Sequence, residues 1–280
     1  YEISACLVGS EMCIRDSERG ERMLTETFDR SEEIIRPEMI YGKRKKLCDI
    51  CIITFSQHVI EYALQKYDCK KVISLESTGG SIPIYIMTYQ EKELALYQSM
   101  IGAPAAGACL EEARCLTGAS HYIMFGSCGC LHEEITAGKL IVPTQAYRDE
   151  GLSYHYVPAG DYLPLPNAGR VASFFERKGI PFVTGKTWTT DGLYRETRAN
   201  MSKRKAEGCL TVEMECAGLQ AVCSFRELQY YAFLFGGDLL DAAEWDVRIL
   251  GNHREKDCQI EGFRIALELA HALSMLFSLE

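Results

Sequence analysis

The sequence has no apolar run of about 18 residues, the length that a helix needs to cross a bilayer. Basic residues are also few, since 30 Lys and Arg stand against 39 Asp and Glu and leave a net charge of -9. Proteins that bind nucleic-acid backbones usually present a basic face. The two dense basic runs, 43–46 and 203–205, are short, and we interpret them as solvated surface. The sequence therefore predicts neither a membrane protein nor a nucleic-acid binder.

Several motifs of common enzyme classes are also missing. Neither a phosphate-binding P-loop nor a G-x-G-x-x-G fingerprint occurs, and there is no G-x-S-x-G elbow of the serine hydrolases. The C-x-x-C formed by Cys48 and Cys51 has no second pair at zinc-site spacing. The short run Cys128-Gly129-Cys130 cannot hold a metal alone. The cysteine spacings therefore predict no metal site.

Thirteen cysteines are scattered over the chain, and several lie inside apolar runs, such as Cys51, Cys109, Cys216 and Cys223. This usage is typical of buried thiols in a reducing compartment and not of a disulfide scaffold. The cysteine pattern therefore predicts a cytoplasmic protein.

The first 22 residues differ from the rest of the chain. The run from Glu11 to Ser17 resembles the translation of a transposon-type sequencing adapter, and Met23 is a plausible start. The apolar patch at 5–8 has no basic residues before it, as a signal peptide would. We expect residues 1–22 to be a non-native extension and residues 23–280 to form a single domain, since no repeat or low-complexity linker interrupts them.

Short apolar, β-branched runs alternate with stretches of helical periodicity along the rest of the chain. We predict strands at 49–55, 71–75, 82–89, 94–101, 121–125, 139–146, 181–190, 209–214 and 229–236. We predict helices after Ser56 and at 103–117, 167–178, 215–225 and 258–277. The alternation predicts an α/β domain with a mixed, mainly parallel central sheet and helices on both faces. Ligands of such sheets bind at the carboxyl ends of the strands.

Three polar segments follow predicted strands. Gly126-Ser127-Cys128-Gly129 offers small residues, free backbone N–H groups and one hydroxyl. Val212-Glu213-Met214-Glu215 contains two acids, and burying them costs free energy that a functional role would explain. The alternative is that both acids are solvated in the first turn of a helix. Asp238 follows a strongly apolar run, so it is either a general acid whose pKa is raised by desolvation or a helix N-cap.

Taken in this order, the three segments resemble the purine nucleoside phosphorylase/uridine phosphorylase superfamily, which includes the methylthioadenosine-type nucleosidases. Gly126-Ser127-Cys128-Gly129 is similar to the family's glycine turn, and Val212-Glu213-Met214-Glu215 to its ribose-binding V-E-M-E segment. Gly237-Asp238 is similar to the serine-aspartate pair of the purine-type enzymes, with Gly in place of Ser. Gly102-Ala103-Pro104-Ala105 resembles the turn before the family's first long helix. The resemblance covers about residues 46–275.

The resemblance implies cleavage of a nucleoside through an oxocarbenium-like sugar. It implies that Glu215 hydrogen-bonds the ribose hydroxyls, that Met214 packs under the sugar and that Glu213 lies beside them. Asp238 would protonate the departing base, at N7 in the purine-type enzymes, and Ser127 would contact phosphate or the nucleophile.

On the base side, residues 186–194 correspond to the family's base-binding segment. Trp188, Leu193 and Tyr194 are the candidates to flank the base, and core packing is the alternative for the two aromatic residues. The general acid implies a purine, whereas residues 148–155 resemble a segment of the uridine phosphorylases. Purine and uridine types both remain open.

The nucleophile side departs from the phosphorylase pattern. Met124 occupies the position of the arginine that precedes the glycine turn. The arginine of the early phosphate loop has no match near 54–58, and the arginine lent by a neighbouring subunit has none in 74–92. These absences matter because arginine is the usual bidentate clamp for phosphate.

Two nucleophiles therefore remain open. In the first case, phosphate would bind at Gly126 and Ser127, and cationic side chains elsewhere in the sequence would replace the missing arginines. The candidate cations are Arg148, Arg195 and Arg198. Alternatively, water would be the nucleophile, with His58 as its base, although a surface position on a helix is the plainer interpretation of His58.

We expect phosphorolysis of a uridine- or purine-type nucleoside, which releases the base and (deoxy)ribose 1-phosphate. A hydrolytic nucleosidase is the alternative, and a non-catalytic nucleoside-binding protein is the third hypothesis. Glu215 and Asp238 together speak against the third, because binding alone needs no general acid. Phosphate would be a co-substrate, no cofactor is implied, and the resemblance implies a homo-oligomer.

Overall fold

The computed structural model describes residues 24–77 and 80–277, so the expectation that residues 1–22 are a non-native extension lies outside the described residues. The strands are β1 (Ile50–Thr54), β2 (Cys69–Ser77), β3 (Gly80–Tyr89), β4 (Lys92–Gln98), β5 (His121–Cys130), β6 (Leu140–Asp149), β7 (Tyr162–Pro164), β8 (Phe182–Thr190), β9 (Cys209–Glu213) and β10 (Gln229–Leu239). The α-helices are α1 (Pro37–Tyr41), α2 (Gln57–Lys66), α3 (Ala103–Thr117), α4 (Glu133–Thr136), α5 (Ser153–Tyr156), α6 (Ala168–Lys178), α7 (Arg198–Ala206), α8 (Cys216–Phe225) and α9 (His253–Phe277). Short 3-10 turns lie at Leu24–Glu26 and Leu193–Arg195.

These strands form one mixed sheet in the order β10-β6-β8-β9-β5-β1-β4-β3-β2, and β7 pairs with β6. Parallel pairing joins β1 to both β4 and β5, β5 to β10, and β8 to both β6 and β9. Because β10 pairs with β5 as well as with β6, the strands β5, β10, β6, β8 and β9 close into a ring. The mixed α/β fold is confirmed. Ring closure was not predicted, because hydrophobic patterns show which residues are buried and not which strands are neighbours.

Helices cover both faces of the sheet. One core cluster packs α3 and α8 against one face, and a second packs α2, α6 and α9 against the other. Strand β1 contributes to both, with Cys51 and Ile53 in the first cluster and Ile50 and Ile52 in the second. Burial on both faces explains why this strand is apolar at consecutive positions instead of alternating.

Two strands are longer than the sequence predicted. Strand β5 continues through Gly126-Ser127-Cys128-Gly129 to Cys130, and β10 continues to Leu239. The two glycine-containing segments pair with each other in parallel, so neither is a turn after a strand. Glycine lowered the strand propensity at both places, but pairing between them kept the ladder intact.

Helix ends follow local signals where those signals are strong. The prediction of a helix at 103–117 is confirmed at both ends, with Pro104 in the first turn and left-handed Gly118 (φ 69°) after the last. Helix α9 begins at His253, earlier than predicted. Helix α7 was missed because its sequence is polar with little apolar periodicity.

Among the described residues, no helix is both long and apolar enough to cross a membrane. Every cysteine in the described part of the chain is a free thiol, and Cys51, Cys109, Cys216 and Cys223 are buried as predicted.

Helix α9 packs closely on β5, and a glycine allows this approach. A Cβ atom on Gly262 would lie 2.7 Å from Cδ2 of Phe125, whose buried ring stacks on Phe233. Gly262→Ala should therefore lower the free energy of unfolding by about 1–3 kcal/mol, measured by urea denaturation.

Gly169 in helix α6 gives the matched control. It is exposed, and a Cβ atom there would meet nothing within 4 Å. Gly169→Ala should raise the free energy of unfolding by about 0.5–1 kcal/mol, because alanine loses less backbone entropy in a helix. A Gly262→Ala variant as stable as the wild type would show that α9 moves freely on β5.

Candidate active site

A cavity of about 710 Å³ opens where the carboxyl ends of β1, β5 and β10 meet. This volume is in the usual range for small-molecule sites. The residues at 193–201 and 238–250 form much of its walls. Its polar or ionisable lining side chains are Thr54, Ser56, Ser127, Tyr194, Glu196, Thr197, Arg198, Glu213, Glu215, Asp238, Trp245, Glu255 and Gln259. The cavity lies at the strand ends, where the sequence placed a ligand site.

The structure brings most of the predicted site residues into this one cavity. Those in its lining are Gly126, Ser127, Leu193, Tyr194, Glu213, Met214, Glu215 and Asp238. They come from β5, from the 3-10 turn, from the end of β9 and from β10, so the fold assembles segments that are far apart in sequence.

Arg148 does not lie in the cavity, and its proposed role with phosphate is corrected. The residue is buried, its Nε donates to Ser153 Oγ (2.7 Å) and its Nη1 donates to the carbonyl oxygens of Pro158 (2.7 Å) and Gly160 (3.2 Å). Its guanidinium also stacks 3.9 Å from the ring centre of Tyr154. The Arg148 guanidinium therefore holds the loop that contains Pro158 and Gly160.

His58 and Trp188 also lie outside the cavity lining. His58 is half-exposed on α2, with its Nδ1 3.6 Å from the Glu61 carboxylate, and it lies outside the lining, so it is not placed to activate water. Trp188 is buried in the core, and its Nε1 donates to Asp149 Oδ2 (2.9 Å). The core alternative for this aromatic residue was therefore the right one.

Glu213 is a buried carboxylate held by backbone and hydroxyl groups. Its Oε2 accepts from the N–H groups of Glu215 (2.8 Å) and Cys216 (2.7 Å). Its Oε1 accepts from the hydroxyls of Thr189 (2.5 Å) and Thr187 (3.3 Å). Burial raises the pKa of Glu213, and these hydrogen bonds oppose that rise. Glu213 thus fixes the start of α8, and the alternative of two solvated acids is wrong.

Glu215 is fixed by one backbone donor. Its Oε1 accepts from the N–H of Gly102 at 2.7 Å, and Gly102 has a φ of 93°, in the region that favours glycine. Burial and the adjacent Glu213 raise the pKa of Glu215 to about 8. The residue therefore presents a carboxyl group to the cavity that can be neutral or charged near neutral pH.

Asp238 follows a bulge in β10. The register with β5 shifts between Gly236 and Asp238, which leaves Gly237 as the extra residue. Asp238 is half-buried, and burial raises the pKa of its carboxyl group. The helix N-cap alternative is wrong, because the strand continues through this residue to Leu239.

Gly129 makes room for this carboxylate. A Cβ atom on Gly129 would lie 2.5 Å from Cδ1 of Leu240, 2.9 Å from Cγ1 of Val212 and 3.4 Å from Oδ1 of Asp238. Only glycine allows β5, β9 and the end of β10 to approach so closely, which explains the glycine found here by sequence.

Two ionisable or polar groups beside Asp238 were missed by sequence reasoning. Glu196 lines the cavity, and burial together with the nearby Asp238 raises its pKa to about 7. Trp245 donates its indole N–H to Asp238 Oδ2 at 2.6 Å. Both lie in loops, where no periodicity marks a residue as pointing inwards.

The cavity is strongly acidic. Its lining carboxyl groups are Glu196, Glu213, Glu215, Asp238 and Glu255. Arg198 is the guanidinium in that lining, and it donates to the carbonyl oxygens of Ala242 (3.3 Å) and Ala243 (2.5 Å). Arg195 is exposed and outside the lining. Within the described residues, the electrostatics favour a developing positive charge over an anionic ligand.

Comparison with known proteins gives matches in sequence and in fold. The family model described as the phosphorylase superfamily matches residues 49–261, which is more than half of the chain. A DeoD-type purine nucleoside phosphorylase of Exiguobacterium sp. (strain ATCC BAA-1283 / AT1b) is 24% identical over 160 residues, 56% of this chain and 68% of that protein. A DeoD-type purine nucleoside phosphorylase of Alkaliphilus metalliredigens is 27% identical over 143 residues, 49% of this chain and 60% of that protein.

A solved structure of a futalosine hydrolase mutant of Helicobacter pylori is similar in fold. It superposes with a TM-score of 0.66 and 14% identity, and the match covers 81% of this chain and all of that one. At this identity the likeness concerns the fold alone.

Glu215→Gln should flatten the dependence of stability on pH. The pKa of Glu215 rises from an ordinary value of 4.5 to about 8 on folding, so the folded protein binds an extra proton between these values. Wild-type stability should therefore fall as the pH rises through that window. The variant lacks this titration, and its gain over the wild type should reach roughly 1–3 kcal/mol by pH 8.

Urea midpoints at pH 5 and pH 8 measure this effect. Glu176→Gln, at an exposed residue on α6, is the control and should show the same small difference at both pH values. A Glu215→Gln gain that does not grow with pH would contradict a raised pKa at this site.

Proposed function

The chain belongs to the phosphorylase superfamily and is an enzyme of that group, and on this premise we propose that it hydrolyses the N-glycosidic bond of a purine nucleoside. The observation that carries the proposal is the acidic cavity, whose guanidinium is already bound to carbonyl oxygens. A phosphate dianion would find no unpaired guanidinium in the lining that the described residues form, whereas water needs none.

The sugar binds at Glu215 and Met214 in this proposal. The Glu215 carboxyl accepts hydrogen bonds from the ribose hydroxyls, in an orientation fixed by the N–H of Gly102. As the bond to the base breaks, positive charge develops on the sugar. Carboxylates held in place before the reaction stabilise that charge without reorganisation. Glu213 positions Glu215, because its carboxylate accepts hydrogen bonds from the backbone N–H groups of Glu215 and Cys216 at the start of α8.

The base leaves with a proton from Asp238. A departing purine anion is a poor leaving group, and protonation at a ring nitrogen such as N7 makes it neutral. Burial raises the pKa of Asp238, which favours the protonated form that the step requires. Leu193, Tyr194 and Trp245 form the apolar wall on this side of the cavity.

Water attacks from the opposite side of the sugar. The hydroxyl-bearing residues in the lining on this side are Thr54 at the end of β1, Ser56 just after it and Ser127 on β5. Ser56 donates to Gln259 Oε1 at 2.5 Å, which links this side of the cavity to helix α9. These neutral polar groups orient the water, and the electrophilic sugar makes it reactive enough to attack. The proton that the water loses as it bonds to the sugar passes to solvent, and solvent reprotonates Asp238 for the next turnover.

Phosphorolysis is the second candidate, and the names of the relatives favour it. Both relatives from Exiguobacterium and Alkaliphilus are called purine nucleoside phosphorylases. In that case phosphate would be the co-substrate at Ser127, and its cations would come from a neighbouring subunit of a homo-oligomer. In either case the reaction needs no further cofactor, and the free, buried thiols fit a reducing cytoplasm.

An assay of purine and pyrimidine nucleosides with and without phosphate tests the proposal. We expect base release from purine nucleosides at the same rate in both buffers, with free sugar as the product. Release that depends on phosphate and yields sugar 1-phosphate would replace hydrolysis by phosphorolysis. If no nucleoside of the panel were cleaved, the proposed substrate class would be wrong.

Asp238→Asn should lower kcat for purine nucleosides by about 10²- to 10⁴-fold, because amide cannot donate the proton. Asp68→Asn is the matched control at a side chain that is 76% exposed, and its kcat should equal that of the wild type. A fully active Asp238→Asn enzyme would exclude Asp238 as the acid.

A further inference from the structure

Trp245 is an unusual residue at the cavity, because most of its ring is exposed while its polar atom is bonded. The side chain is 60% exposed, and its Nε1 lies 2.6 Å from Asp238 Oδ2. Neither burial nor packing accounts for its position.

The loop that carries Trp245 is tied back to β10. Leu239 and Asp246 form a two-way bridge, with N–H to O distances of 2.9 and 3.2 Å. The N–H of Ile249 donates to the carbonyl oxygen of Gly237 at 3.1 Å. These bonds fix the loop on both sides of Asp238, so the indole reaches the carboxylate from a defined direction.

The two oxygens of Asp238 therefore differ. Oδ2 accepts the indole N–H, so the proton of the neutral acid belongs on Oδ1. Oδ1 lies on the side of Gly129, a residue of the cavity lining, 3.4 Å from the position that a Cβ atom on that residue would occupy.

We propose that Trp245 is a positioning residue for the general acid: its indole N–H holds Oδ2 so that Oδ1 carries the transferable proton towards the base. This inference rests on the proposed function, in which Asp238 protonates the leaving base. In the step, the proton passes from Oδ1 to a ring nitrogen as the N-glycosidic electron pair moves onto the base. The carboxyl becomes a carboxylate, and the indole N–H then donates to an anion.

This arrangement favours the transition state over the bound substrate. A hydrogen bond to a charged acceptor is stronger than one to a neutral acceptor, so the indole bond strengthens as the proton leaves. Its contribution should therefore appear in kcat and not in KM.

Other charged groups near Asp238 set the background against which this bond acts. Glu196 faces it from the turn before α7, and Asp246 and Arg248 lie on the same loop as Trp245. Arg248 donates to Asp246 (3.3 Å) and to Glu133 (2.6 Å), and Cys130 lies near on β5. These groups are unchanged by a substitution at Trp245.

Trp245→Phe removes the N–H and keeps an aromatic ring. With a purine nucleoside we expect kcat to fall about 10- to 100-fold with KM nearly unchanged, which is the range for a hydrogen bond to a charged group. Activity falls as pH rises through the pKa of the acid, and loss of a donor to the carboxylate raises that pKa. The alkaline limb of the kcat profile should therefore move to higher pH.

A nucleoside methylated at N7 gives a second readout, because its cationic base leaves as a neutral molecule without a proton. Trp245→Phe and wild type should cleave it at equal rates. Equal losses with both substrates would mean that Trp245 only shapes the pocket and would overturn the inference. An unmoved alkaline limb would overturn it as well.

Trp188→Phe is the matched control, since its indole N–H also donates to a carboxylate, that of Asp149, outside the cavity lining. Its alkaline limb should stay in place. Asp238→Asn separates the two proposals. If it retains activity on purine nucleosides, the acid assignment fails. If it is inactive while Trp245→Phe matches the wild type, the acid stands and the role of Trp245 falls.

Discussion

The parallel pairing of β5 with β10 is the constraint on which the site depends. It runs from Gln229 opposite His121 to Leu239 opposite Cys130, and it closes the ring of strands. The bulge at Gly237 falls inside this pairing, and the glycine at 129 faces it. Without close contact between the two strands, the hydroxyl of Ser127 and the carboxylate of Asp238 would not share one cavity. Helices α3, α8 and α9 then follow from the faces that this sheet must bury.

Buried carboxylates show where the fold gives up stability for a site. The charge of Glu213 is compensated by two N–H groups at the start of α8 and two threonine hydroxyls. Glu215 accepts a hydrogen bond from the N–H of Gly102, and the nearby Glu213 repels its negative charge. A hydrophobic residue would be more stable at the second position. Glu213, whose oxygens are bonded within the protein, therefore has a structural role. Glu215, which has fewer partners, is the acid proposed to bind the ligand.

Sequence reasoning located the strands, the long helices and the acids at 213, 215 and 238, because these features are local. Buried runs, helix ends and a four-residue motif can be read within a short window. The partners of Arg148 and Trp188 could not be predicted in this way. Arg148 binds carbonyl oxygens of a loop, and Trp188 binds Asp149 on the neighbouring strand β6, which only the strand pairing brings close. Glu196 and Trp245 face the cavity only because two loops fold over it. The closed ring of strands likewise depends on which strands meet, and alternation of burial is the same in open and closed sheets.

The guanidinium of Arg198 joins two loops that wall one side of the cavity. It begins α7 on one wall and binds the carbonyl oxygens at 242 and 243 on the other, and Lys205 pairs with Asp241 at 2.6 Å nearby. The two Arg198 contacts are exposed, and exposed polar contacts contribute only about 1 kcal/mol each. Loop motion on the microsecond to millisecond timescale would therefore move the two linked walls together. In the proposed reaction, release of the base would then depend on one joint motion and not on two independent ones.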